Sequence, residues 1–266
     1  FLFFLRNSKA EAETERERER EMSKIRLHYW NGRGRAEPIR FALAAANLEF
    51  ENAVVSEVRR FDDFSRRFFS NSIRRTQKKD LASLRKMGRL KYGQLPMLEI
   101  DGHELVQSAS ILRYVARKGD LYPTSIEEQY VVDVICDGVN DMRSSVIGFP
   151  FHASVEKLKE DVQRVVPRYI APFEKTLQES KSDFFLNRDV ITVADVALFE
   201  VLDFIRCITS TDWTLNILKP YPHVTKHFNK MHSVGSLDKY LKSRKQLPWD
   251  KYAASVRRTL EGMRGK

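Results

Sequence analysis

The stretch IRLHYWNGRGRAEPIRFALAAANLEFENAVV, residues 25–55, decides the fold. Its opening alternates with period two, which puts Ile25, Leu27 and Tyr29 on one side of a strand. NGRGR, residues 31–35, follows as a loop in which the glycines permit the turn. A helix is predicted over about 36–47, with Ile39, Leu43 and Ala46 along one face. LEFENAVV, residues 48–55, returns as a second strand, so the stretch reads as a strand–helix–strand unit.

Further along, PMLEI and HELVQ are strands joined by Asp101-Gly102, a strong two-residue hairpin signal. Ser108 is placed to cap the next helix, SASILRYVARK. Two parallel strands, a hairpin and a closing helix make a small mixed sheet in thioredoxin-like order. After GDLYPTS the strand signals stop. Residues 126–147 set Tyr130, Val131, Val134, Ile135, Val139, Met142 and Val146 at helical spacing. Residues 154–180 do the same with Leu158, Val162, Val165, Tyr169, Phe173 and Leu177, and Pro167 and Pro172 are expected to bend that helix or end it early. VADVALFEVLDFI is apolar on nearly every face, which marks a helix buried at a domain centre. Thr192 and Asp195 stand before it at capping-box spacing, with aspartate in place of the longer acid. The second half reads as all-α.

The expected organisation is therefore an extension over 1–21, a thioredoxin-like domain over 22–118 and an all-helical domain over 125–266. The run EAETERERERE alternates charge without an apolar face and reads as solvated helix or disorder. Met22 directly precedes the first strand and is the expected natural start.

Composition excludes several classes. Hydrophobic residues make up 42% and charged residues 31%, the balance of an ordinary globular protein. No apolar run reaches the roughly 18 residues of a membrane span, and FLFFL at the start lacks the flanks of a signal peptide. The net charge of +10 is concentrated: residues 57–79 hold eight basic and three acidic side chains, half the excess. A nucleic-acid role resting on charge alone is not expected. The histidines lack ligand spacing and NGRGR is not a dinucleotide loop, so neither a metal nor a nucleotide site is expected. Cys136 and Cys207 each lie in an apolar pattern and read as buried free thiols in the cytosol. Where a thioredoxin carries its redox cysteines, this chain has Tyr29-Trp30-Asn31-Gly32. Sulfur chemistry here must use a thiol brought by a ligand.

LHYWNGRGRAEPIRFALAAANLEFE, YGQLPMLEIDGHELVQS and VADVALFE, in that order and on those elements, resemble the cytosolic glutathione transferases that use tyrosine, the alpha, pi and sigma classes. The likeness covers roughly residues 22–55 and 80–250. It implies that Tyr29 is the catalytic tyrosine, donating a hydrogen bond to the glutathione sulfur and favouring thiolate over thiol. Taken alone, a strand tyrosine is more often core. The resemblance implies that Arg35 adds positive potential near the sulfur, while Arg33 and Arg40 serve ion pairs or solvent. It places Gln94, Leu95 and Pro96 in the segment that holds the cysteinyl part of glutathione, Pro96 with a cis bond. It gives Gln107 and Ser108 the γ-glutamyl end, where a helix N-terminus suits a carboxylate, and Arg85 the glycine carboxylate. Asp133, Asp137 and Asp141 line one helix face; Asp133 is matched to the position that reaches into a partner subunit, and the others read as surface. Tyr92 matches an aromatic key of a homodimer.

The resemblance breaks near Val58, where roughly twenty extra residues enter as a long basic loop. They are either a binding loop for an acidic partner or non-coding sequence carried in by a faulty gene model. The implied function is conjugation of glutathione, as co-substrate, to small hydrophobic electrophiles in the cytoplasm. A glutathione-dependent isomerase acting on prostanoids or steroids, and a non-catalytic carrier of apolar ligands, are the alternatives. The electrophile pocket is expected between Trp30, the residues after Asp141 and a C-terminal lid helix bearing Tyr252, Val256 and Leu260.

Overall fold

The structure, a computed structural model, describes residues 24–55, 81–148, 154–244 and 254. The expectations for 1–21, for the 57–79 insertion and for the lid residues Tyr252, Val256 and Leu260 lie outside the described residues. Contacts divide the chain into two compact units, one of Phe1–Asn31 with Glu49–Ile111 and one of Gly32–Leu48 with Leu112–Lys266.

The first unit is a four-stranded sheet of β1 (Ile25–Tyr29), β2 (Phe50–Val54), β3 (Met97–Ile100) and β4 (His103–Val106), in the order β2-β1-β3-β4. β1 and β2 run parallel, and β3 is antiparallel to both β1 and β4. Asp101 and Gly102 both take positive φ, 51° and 75°, the backbone that a tight two-residue hairpin requires. Leu27, Met97 and Leu98 are fully buried. A short helix, Leu81–Lys86, brings Leu81 and Leu84 into a cluster with Val55, Leu90 and Met97, against which Trp30, Leu95 and Val106 pack. On the same face of the sheet as Met97, its register partner, His28 is buried with its Nε2 3.1 Å from a Glu99 oxygen. That carboxylate also pairs with Arg89 and lies 3.9 Å from Arg26.

The second unit is helical. The helix after the NGRGR loop, α1 (Glu37–Ala45), belongs to it, with Phe41 edge-on to Phe199 at 5.8 Å and to Tyr240 at 5.3 Å. With the Leu81–Lys86 helix as α2, there follow α3 (Ser108–Lys118), α4 (Ile126–Val146), α5 (Val155–Glu179), α6 (Val193–Ile208), α7 (Thr211–Leu218), α8 (Pro222–His232) and α9 (Gly235–Ser243). Serines start three of them: Ser125, Ser154 and Ser210 accept from Glu128, Lys157 and Trp213 N–H groups. Every residue of α6 from Val193 to Ile205 is buried, the acidic Asp195, Glu200 and Asp203 included. Asp195 closes its first turn, accepting from the Thr192 N–H at 2.7 Å, the Thr192 hydroxyl at 2.8 Å and the Phe185 N–H at 3.0 Å, with His227 Nε2 at 3.1 Å.

Four expectations are refined or corrected. Of the two outcomes expected of Pro167 and Pro172, a bend or an early end, the early end is overturned: α5 runs from Val155 to Glu179. Both prolines lie on its exposed side, where water can serve the carbonyls that lose their N–H partners. The inner face of α5 takes Val166 and Ile170, while Val165 and Tyr169 are half-buried. On α4 the buried stripe is Val132, Ile135, Cys136, Val139, Met142 and Val146, whereas Tyr130 and Val134 face outward. Ser108 is the first residue of α3 rather than its cap: Gln107, at φ 71°, precedes it and accepts the Ile111 N–H at 2.9 Å.

Candidate functional site

The strand register gathers the first unit's implicated residues at one end of its sheet. Tyr29 ends β1 opposite Val54, the last residue of β2. His28 pairs with Met97, and Met97 pairs with Val106, the last residue of β4. One step past those pairs lie Tyr29, the last residue of β1, Pro96, just before β3, and Gln107, just after β4. Tyr29 and Gln107 are thus two inter-strand steps apart, about 10 Å. Tyr29 is half-buried, and its carbonyl accepts the Val55 N–H at 2.9 Å. The next residue, Trp30, packs on the cluster of Val55, Leu84 and Met97, which fixes the strand end from below.

Leu95-Pro96 is a cis peptide, Pro96 is buried and Leu95 packs on the same cluster. Gln94 and Gln107 are exposed, and Ser108 is half-buried. The first N–H groups of α3 point out of its N-terminus without helical acceptors, which is where an anionic group gains most. Arg85 is exposed on α2, and its Nε donates to the Gly93 carbonyl at 2.7 Å. It thereby closes the turn that delivers Gln94. Tyr92, in that turn, is 58% exposed.

Arg35 and Asp133 lie in the second unit. Arg35 is exposed in a single 3-10 turn, Gly34–Ala36. Arg40 is buried, pairs with Glu37 at 2.9 Å and donates to the Gly32 carbonyl at 2.9 Å. Arg33 comes within 3.9 Å of Asp203. Asp133 accepts from Arg113 Nε at 2.8 Å and from the Tyr122 hydroxyl at 2.8 Å, while Arg113 Nη2 reaches Asp137 at 2.7 Å. Partial burial pushes the Asp133 carboxyl up, but Arg113 and Tyr122 outweigh it and hold it below the usual carboxylate range. Asp141 is exposed. Sequence reasoning missed Arg143 and Glu200, a buried pair behind the Arg35 loop. The available signal was a glutamate in the middle of the largely apolar VADVALFEVLDFI.

Among the described residues no group of histidine, cysteine, aspartate and glutamate could hold a metal ion, and no helix is long and apolar enough to cross a membrane.

The family model described as glutathione S-transferase, N-terminal domain, matches residues 25–117, and that described as glutathione S-transferase, C-terminal domain, matches residues 140–244. Glutathione S-transferase 3 of Gallus gallus is 30% identical over 240 residues, covering 88% of this chain and 93% of its own. Glutathione S-transferase A3 of Homo sapiens is 34% identical over 194 residues, covering 71% and 77%. Among solved structures, the Pi-class glutathione S-transferase of Onchocerca volvulus superposes with a TM-score of 0.63 at 26% identity, covering 83% of this chain and 93% of that one. A sheet that ends in Tyr29, Pro96 and Gln107, a helical second half and these two matches in order give one conclusion: the chain belongs to the glutathione S-transferase family.

Proposed function

We propose that this enzyme conjugates the glutathione thiolate to small hydrophobic electrophiles, with Tyr29 as the group that makes the thiolate. The observation that carries the assignment is the shared sheet end of Tyr29, Pro96 and Gln107. The Tyr29 hydroxyl donates to the sulfur and stabilises its charge. A free thiol with a pKa of about 8.5 is only a few per cent ionised at neutral pH. Lowering that pKa by roughly two units corresponds to ~2.7 kcal/mol and makes thiolate the major form. The thiolate then attacks the electrophilic carbon, forming the C–S bond while the leaving group departs with the bonding pair. Arg35 adds positive potential at the sulfur.

Gln94 and the Leu95 backbone, fixed by Pro96, hold the cysteinyl part. Gln107, Ser108 and the open N–H groups of α3 hold the γ-glutamyl end, and Arg85 takes the glycine carboxylate. In this reading the enzyme works in the cytoplasm as a homodimer, without nucleic acid or metal. Its domains divide as 22–118 and 125–266. Tyr92 acts as the key to the partner, and Asp133 presents its charge across the interface. Ile126, Tyr130 and Val134, spaced four apart and exposed along α4, support a partner-covered face.

The test is conjugation of glutathione to a chloronitrobenzene by the wild type and by Tyr29→Phe. A two-unit rise in thiol pKa predicts a loss of about twenty-fivefold at pH 7, shrinking towards none above about pH 9 as the thiol ionises unaided. A mutant as active as the wild type at pH 7 would remove Tyr29 from the mechanism.

A further inference from the structure

We infer that the buried pair Arg143–Glu200 is a positioning device for Arg35, holding the loop that carries it by the Gly34 carbonyl. The inference rests on the reading of Arg35 given above. Arg143 lies in the last turns of α4 and is 5% exposed; Glu200 lies in the middle of α6 and is 1% exposed. Arg143 Nε and Nη2 meet the two Glu200 oxygens at 2.9 and 3.0 Å, a two-pronged pairing that fixes the plane of the guanidinium. The Phe204 ring flanks it, 5.3 Å from the guanidinium carbon.

Held this way, Nη2 has a further hydrogen to give, and it goes to the Gly34 carbonyl at 2.7 Å, 109 residues earlier in the chain. Gly34 has φ 39°, a backbone turn that glycine tolerates, and its carbonyl also accepts the Glu37 N–H that closes the 3-10 turn, so Arg143 ties that turn to α4. A buried ion pair is a poor source of stability, because removing both charges from water offsets their attraction. What this pair does supply is a rigid donor at a fixed point.

The same construction is repeated two residues earlier. Arg40, paired with the buried Glu37, donates to the Gly32 carbonyl at 2.9 Å. Glu37 is itself held by Arg244 at 3.0 Å and by the Tyr240 hydroxyl at 3.3 Å. Between the two anchors, Arg33 approaches Asp203 at 3.9 Å. Residues 32, 33 and 34 are thus each tied to a charged partner within the helical unit, and the next residue is the exposed Arg35. The backbone leading into Arg35 is held at residues 32, 33 and 34, so the place of its guanidinium is set from within the helical unit. Arg143 is not a catalytic residue in this scheme; it works through Arg35.

The experiment compares the pH dependence of kcat/KM for glutathione in wild type, Arg35→Ala, Arg143→Lys and the double variant. Arg143→Lys keeps a cation beside Glu200 but loses the fork that spans Glu200 and Gly34. A purely charge-balancing role is therefore rescued, and a positioning role is not. Both single variants are expected to move the alkaline rise of the profile upward, by about one pH unit for Arg35→Ala. The double variant is expected to lie no higher than Arg35→Ala alone. If Arg143→Lys fails to melt cooperatively, Glu200→Gln takes its place, since it keeps the side-chain volume and releases the guanidinium. A shift in Arg35→Ala with an unmoved profile in the folded Arg143 or Glu200 variant overturns the inference and leaves Arg35 in its role. An additive double variant overturns it too. An unmoved Arg35→Ala removes Arg35 from the mechanism, and the positioning role falls with it.

Discussion

Cys136 lies on the inner stripe of α4 beside Ile135 and Val139. Burial pushes its thiol up to about 12; Arg113 pulls the other way, and Asp133, Asp137 and Asp195 push it further. A thiol so placed is a small hydrophobe at any ordinary pH, since the reactive species is the thiolate. The peptide containing Cys136 should remain unmodified by iodoacetamide in the native protein at about pH 8 and become labelled in concentrated urea; labelling at equal rates in both would mean the site is open. At this scale the sequence was readable wherever a residue type has one sensible job. An apolar neighbourhood announced the buried thiol of Cys136, but the same expectation for Cys207 is corrected: it is half-buried beside Asp203 and Arg244. Asp133 was not readable in the same way. Its helical row with Asp137 and Asp141 was plain, but Arg113 and Tyr122 come from outside that row, and no periodicity points to them.

Among the elements, the N-terminus of α8 depends on a side chain from another helix. Glu174, on α5, accepts the His223 and Val224 N–H groups at 3.0 and 2.8 Å and lies 2.8 Å from the His223 ring. Burial raises its carboxyl, but those N–H groups and the ring pull it below the ordinary range. A carboxyl whose folded pKa is depressed contributes stability that is complete above its unfolded value, near 4.3, and lost as pH falls through the folded one. Glu174→Gln should therefore cost about 1–2 kcal/mol in urea unfolding at pH 7. The gap to wild type should close as the pH is lowered towards about 3. A gap that is constant with pH would show that the charge contributes nothing. Element types followed from the pattern because two-residue and helical periods differ so strongly. Faces did not follow on α4 and α5, where apolar residues form two overlapping stripes. Val165 and Val166 are chemically equal, and only the packing of neighbouring helices chooses between them.

At the scale of the whole molecule, the exposed line of Ile126, Tyr130 and Val134 and the 58% exposed Tyr92 are among the large apolar side chains that the described residues leave open to solvent. In the homodimer reading, Tyr92→Ala should shift the sedimentation equilibrium towards monomer by at least tenfold, as truncating a central aromatic anchor does. An unchanged equilibrium would take the key role from Tyr92. The anchoring of the NGRGR loop bears on how such a chain can change over generations. Arg40 and Arg143 grip main-chain oxygens, so their hold ignores which side chains the loop displays. Asn31 and Gly32 are thereby open to drift, Gly32 because its backbone does not demand glycine, whereas Gly34 is kept by its turn. Variation in this stretch is then channelled into side chains that the two anchors do not touch.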